Sequence, residues 1–440
     1  MHLFAVMAIR IILSDPVTEA ADALKHAATL PTAEARYTRY FSMYNAPIGD
    51  RDASAKTMRF WVNSLSTRHR MAFPRQATDS LWSIDLRDYG WTDKIWEDLA
   101  KSDPYFGVFD SGLYSLTGSY YGVMRWDYFL AATSADPTYG KFLGLPNTLA
   151  ELKKQFFVQE EGVKGLGLAQ GGAVLQSIVA LHNRQLERWP TITGAFWQSR
   201  DVKDNREKHN VLEPDNLFAI EFDGAEFIWS LPNGLHAYFL VNAQQKQVNV
   251  VPPDIAIDTV SPFRDKQVRS ARSCVSCHGK GINPFDDVIS KLIRATKPNG
   301  QPFIDLVSLD KEIADALEDF YLSDLGRSIK HDQAEYAAAV QRTNRTAPEE
   351  NAAVYAQAIA AYLDDQVTLL DAAAELGVSK EWFDQIKAAS GTVTALIAGN
   401  SDPDPDKRYG IARDAWEDQF SSLLKLKYEL RKAKKGEENQ

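Results

Sequence analysis

The chain has 440 residues, enough for two or three packed domains, and its 45% hydrophobic and 25% charged content is that of an ordinary globular protein. A net charge of −10 argues against general binding of a phosphate backbone, which needs a positive field. No apolar run reaches the roughly 18–20 residues that a bilayer-spanning helix requires.

Residues 3–13 are apolar except for Arg10, and Ala21-Asp22-Ala23 follows. A secretory signal carries its positive charge ahead of the apolar stretch, and Asp15 and Glu19 make the intervening piece acidic. Residues 1–30 therefore read as an N-terminal segment with a poor export signal. Helix is expected to dominate 31–210. Thr32 with Glu34 opens a segment reaching about residue 44, where Tyr37, Tyr40, Phe41 and Tyr44 recur at helical spacing. A helix over 52–66, a short strand over 81–86 and a helix over 93–101 follow. Five glycines in 162–172 mark a loop without the spacing of a dinucleotide-binding turn. An amphipathic helix is expected over 173–188.

From residue 217 the period changes to two. Strands are expected over 217–222, 225–231 and 235–241, separated by Asp223-Gly224 and Pro232-Asn233-Gly234, whose glycines supply the positive φ of tight turns. A fourth strand over 247–251 stops at Pro252-Pro253. Residues 211–300 thus read as an antiparallel meander that delivers the chain to a cysteine motif. Residues 301–440 read as helical, interrupted by an Asp-Pro-Asp-Pro-Asp linker at 402–406 and ending in a helix over 411–435. The expected class is α+β, mainly helical.

The chain holds only two cysteines, and both lie in Cys274-Val275-Ser276-Cys277-His278. A disulfide framework needs more cysteines, and a structural zinc needs four convergent ligands. Two thiols two residues apart match the two vinyl groups of one haem, with His278 as the iron's proximal ligand. The expected cofactor is one covalent haem c held by Cys274, Cys277 and His278. The rivals are a thioredoxin-like dithiol, which wants its cysteines opening a helix after a strand, and a partial metal site.

The sixth iron position is open, because no methionine follows Met124. The candidates are His182, His209, His236, His331 and Met124. His182 is preferred, since Arg184 and Arg188 lie one turn apart on the same expected helix and would meet the haem propionates. His236 lies in an expected strand and reads as a packed residue, and His331 opens a helix. Residues 371–383 resemble the turn of a helix-turn-helix, with Gly377 at the bend. Glu381 and Asp384 stand where phosphate-binding residues should be, so a helical hairpin with no nucleic-acid role is expected.

The run from Phe227 to Val241, followed by Ser273 to Gly279, resembles a family of large bacterial single-haem proteins that carry a cytochrome c domain. Further matching pieces are Asn63 to Ser66, Asp85 to Trp91, Arg125 to Phe129, His182 to Arg188 and the helical end around 372–377. The resemblance implies an exported, periplasmic or otherwise extracytoplasmic protein with one haem, and no particular reaction. In that family a histidine stands where this chain has Trp189, so a ligand at that place would be missing here. The expected function is electron transfer with a redox partner that bears a basic patch. A haem enzyme such as a peroxidase, with an open iron position, is the alternative, and a haem-containing sensory or interaction protein is a third.

Overall fold

The computed structural model describes residues 15–106, 110–156, 158, 169–177, 179–213, 216–217, 220–304, 309–399 and 409–437. The apolar stretch 3–13, the linker 402–406 and most of the glycine-rich segment 162–172 lie outside them. The fold is mixed α+β, with more helix than strand, and the chain divides into two compact units. One comprises Met1–Arg59, Ala72–Ala132 and Ala358–Gln440, the other Phe60–Met71 and Thr133–Gln357. Among the described residues no helix is long and apolar enough to cross a membrane.

In the first unit, strands β1 (Thr38–Ser42), β2 (Arg75–Gln76), β3 (Leu81–Asp85) and β4 (Val123–Arg125) form a sheet in the order β2-β3-β1-β4. The helix expected over 32–44 ends at Ala35 and gives way to β1. Burial on both faces explains the difference. Tyr40 packs among Ala23, Ala27, Leu81 and Leu113, while Phe41 meets Trp96, Trp126 and Phe129. A strand covered on both sides shows no alternation, and its aromatic residues then mimic helical spacing. The helices Arg51–Ser64, Asp93–Ala100 and Arg413–Glu437 lie close to their expected bounds.

The same unit buries a polar knot at Glu375, the last residue of the helix Leu369–Glu375. Its carboxylate accepts from Arg125 Nη1 at 2.9 Å, Arg413 Nη1 at 2.7 Å and Trp416 Nε1 at 2.7 Å. Arg125 also donates to Asp127 through Nε at 3.0 Å, and Asn45 donates to the same carboxylate at 2.8 Å. Beyond Glu375, Gly377 takes φ +63° and turns the chain into the helix Lys380–Ala389, giving the expected helical hairpin. Glu381 and Asp384 are exposed on that second helix.

The second unit is built on a five-stranded antiparallel sheet in chain order: β5 (Gln170–Val174), β6 (Arg184–Thr191), β7 (Gly194–Asp201), β8 (Gly224–Ser230) and β9 (His236–Asn242). The helix expected over 173–188 does not exist. Its residues end β5, pass through a bend and enter β6, which pairs with β7 from Arg184↔Asp201 to Thr191↔Gly194. These strands hide from sequence inspection because their buried faces are charged. Arg184 pairs with Asp201 and Arg200 with Glu187, so neither strand alternates apolar with polar residues.

Other expectations change with the sheet. The partner of β8 is β7 rather than a strand at 217–222, and residues 220–222 belong to no strand. Gly224 pairs within the sheet, opposite Asp201 and Asn242, so Asp223-Gly224 is not a hairpin turn. Residues 247–251 supply only isolated bridges, Val241↔Gln247 and Val250↔Arg269. The turn between β8 and β9 does form. Gly234 N–H donates to Leu231 C=O at 2.9 Å, and Gly234 takes φ +88°. Pro232 presets the turn's φ, and glycine alone adopts the left-handed residue without steric cost.

Alternation places Arg184, Arg188, Asp201, Glu226 and His236 on one face of the sheet. The helix Leu325–Asn344 crosses this face. Its Asp332 receives Arg188 through two bonds of 2.9 Å and Trp197 Nε1 at 2.8 Å. One turn later Tyr336 stacks on His236, with ring centroids 4.2 Å apart and planes at 22°.

Candidate functional site

The cysteines lie on one short helix, Arg272–Cys277, which starts from an unusual backbone turn. Ala271 holds φ +61° and ψ −56°, and Arg272 N–H donates to Ser270 C=O at 2.7 Å. This is a γ-turn of the rare positive-φ kind, occupied by a buried alanine rather than by glycine. Such strain persists only where the surroundings fix it, and here it sets the direction of the motif helix.

Both cysteines are free thiols. Cys274 is 8% exposed, and burial pushes its thiol well above the ordinary range. Burial, with the charges of Asp258 and Glu226, pushes Cys277 up to about 12. Cys274 is the third residue of the helix and Cys277 its last, and neither is an activated thiolate. A disulfide-exchange centre needs the opposite, a depressed thiol at a helix start. Among the described residues, no group of three or more His, Cys, Asp and Glu side chains converges as ligands of one metal ion.

His278 follows as the cap of the motif helix. Its Nδ1 bonds the carbonyl of Gly281 at 3.1 Å, so Nδ1 carries the proton and Nε2 keeps its lone pair. Burial pulls this imidazole down to about 4, and Arg184 adds to the shift against the Gly281 bond. His278 is therefore neutral at neutral pH, the form that binds a metal.

Arg184 lies near enough for its charge to act on both Cys277 and His278. It was expected on a helix, free for propionates. It lies instead on β6, paired with Asp201 and with Glu226 at 3.3 Å. Arg188 is likewise engaged, by Asp332. His182 sits half-buried in the bend ahead of β6. His331 is exposed within the helix Leu325–Asn344 rather than at its start, and His209 Nδ1 is 3.1 Å from Asp204. Met124 is a buried residue of β4, and Trp189 is buried in β6 opposite Phe196.

His236 differs from all of these. It is 5% exposed, and its Nδ1 is buried without a hydrogen-bond partner among the described residues. Tyr336 pins one face of the ring, and Tyr238 meets its edge at 6.5 Å. Burial and the charge of His278 bring it down to about 3. Sequence inspection noted His236 but took it for a packed residue, because nothing local distinguishes a satisfied histidine from a bare one. Asp258, buried beside the cysteines, accepts from Val260 and Ser261 N–H through Oδ1 and leaves Oδ2 without a hydrogen bond. No sequence signal pointed to it.

A cleft of about 490 Å³ adjoins Cys277 and is walled by Ser276, Lys280, Asn283 and alanines of the helix Pro348–Leu363. Neither Cys274 nor His278 lines it, so it is a recess beside the motif, not the space those side chains share. Comparison with protein-family models, with curated proteins and with solved structures finds no match to this chain.

Proposed function

We propose that this protein is a c-type cytochrome carrying one covalent haem, and that it transfers electrons. The observation that carries the reading is the state of His278. Its Nδ1 is tied to Gly281 at 3.1 Å and its Nε2 is free, one residue after two free thiols that share a short helix. That donor set fits haem c: two thioether-forming sulfurs and a neutral imidazole of fixed tautomer. The unpartnered Nδ1 of the buried His236 in the same unit marks a further imidazole not used by the chain itself.

Cys274 and Cys277 would hold the macrocycle, each S–H adding across a vinyl double bond, sulfur to one carbon and hydrogen to the other, with no oxidant consumed. His278 would ligate the iron through Nε2, oriented by the Gly281 carbonyl. A haem held there supplies one-electron chemistry at iron. The reading implies export, since this attachment normally takes place outside the cytoplasm. The net charge of −10 suits a redox partner with a basic patch.

The test is direct. The chain is secreted behind an efficient signal in cells that contain the haem-attachment machinery, then denatured, extracted and stained for haem. Wild type should keep its stain, and Cys274→Ala with Cys277→Ala should lose it. An unstained wild type recovered from the exported fraction would overturn the reading.

A further inference from the structure

Of the histidines in the second unit, His236 is the one with a buried ring nitrogen, Nδ1, that lacks a hydrogen-bond partner among the described residues. A buried neutral imidazole ordinarily finds a donor or acceptor, because leaving such a group bare costs roughly 1–3 kcal/mol. The ring is also held in place, stacked on Tyr336 and flanked by Tyr238. The same Tyr336 packs against the loop that orients His278: a Cβ added at Gly281 would lie 3.4 Å from Tyr336 Cδ1. One tyrosine therefore links the His236 ring to the carbonyl that fixes the His278 tautomer.

We propose that His236 is the second axial ligand of the haem carried by the motif, so that two neutral imidazoles bind the iron. The inference rests on the proposed covalent haem. It replaces His182, which lies half-buried in the bend ahead of β6. With two histidines, iron has no open position for peroxide or carbon monoxide, which favours electron transfer over a peroxidase or a gas sensor. The bond would also tie β9 to the motif helix. Ligation present only in the native state stabilises that state.

The experiment uses the haem-loaded full chain. Electron paramagnetic resonance of the ferric wild type should give the low-spin signature of two imidazoles, and the ferrous form should not bind carbon monoxide. His236→Phe keeps an aromatic ring against Tyr336 but cannot ligate. It should retain covalent haem by staining, become high-spin and bind carbon monoxide. His236→Ala should return to low spin when free imidazole is added, whereas His182→Ala should leave the wild-type spectrum unchanged. A high-spin wild type, or a haem-loaded His236→Phe with the wild-type spectrum, overturns this assignment while leaving the covalent haem intact. A wild type without covalent haem overturns the underlying reading, and the stain reports that separately.

Discussion

The Glu375 knot of the first unit and the Arg184–Glu226–His236 region of the second are both buried and both charged, yet they are completed to different degrees. In the first, every oxygen of Glu375 and Asp127 has a donor, and only Arg413 Nε lacks a partner among the described residues. Burial alone would push the Asp127 carboxyl up, but Arg125 outweighs it and holds Asp127 below the usual carboxylate range. In the second, Asp258 keeps a bare Oδ2 and His236 a bare Nδ1 among the described residues. A polypeptide that satisfies its own polar groups is building architecture. One that leaves an imidazole nitrogen unpaired has left it uncompensated, and the proposed haem ligation would supply the missing partner.

The largest effect is expected where the network is complete. Arg125→Met leaves the buried Glu375 and the half-buried Asp127 without their shared cation, and should cost about 3–5 kcal/mol in urea unfolding. The loss should be equal with and without haem. A change below about 1 kcal/mol would mean that the knot is not structural.

The second effect concerns pH. His236 is held neutral in the fold, down to about 3, whereas in the unfolded chain it titrates near 6.5. Below about pH 6.5 the unfolded state binds a proton that the folded state refuses. Stability therefore falls as pH drops toward 3, by up to about 1.4 kcal/mol per pH unit from this residue. In a haem-free Cys274→Ala, Cys277→Ala background, His236→Phe removes that slope. The stability gap between the two proteins should move in favour of phenylalanine by about 2 kcal/mol between pH 6.5 and 5. Parallel curves would show that His236 is not buried neutral.

The smallest effect lies in the turn that positions His236. Gly234→Val forces a branched residue to φ +88°, with its Cβ 3.1 Å from Ala339 Cβ. A cost of about 1–2 kcal/mol is expected, read as a lower melting temperature. An unchanged melt would relocate the turn's importance elsewhere.

The Cys274–His278 motif was legible because its chemistry is local: five adjacent residues hold two thiols and an imidazole. The hairpin at Pro232-Asn233-Gly234 was legible for the same reason. Strands β6 and β7 were not, since Arg184, Glu187, Arg200 and Asp201 neutralise one another across strands, a pattern no single strand displays. The distinction of His236 was equally hidden, because it depends on Tyr336, which lies far along the chain. Amphipathic helices such as Arg413–Glu437 could be read because their apolar residues return every three or four positions.

The burial of Cys274 also has a consequence for timing. In the finished fold its sulfur is protonated and covered, with Tyr139, Tyr238 and Tyr355 close enough to feel its charge. Such a thiol reacts slowly. Attachment of haem would therefore belong to the interval after residues 274–278 emerge and before the later segment bearing Tyr355 closes over them. On the proposed haem reading, the yield of coloured protein would be a race between an attachment enzyme and folding. Substitutions that delay closure of the second unit should raise the loaded fraction. Those that hasten it should leave a stable, colourless protein whose cysteines can no longer be reached.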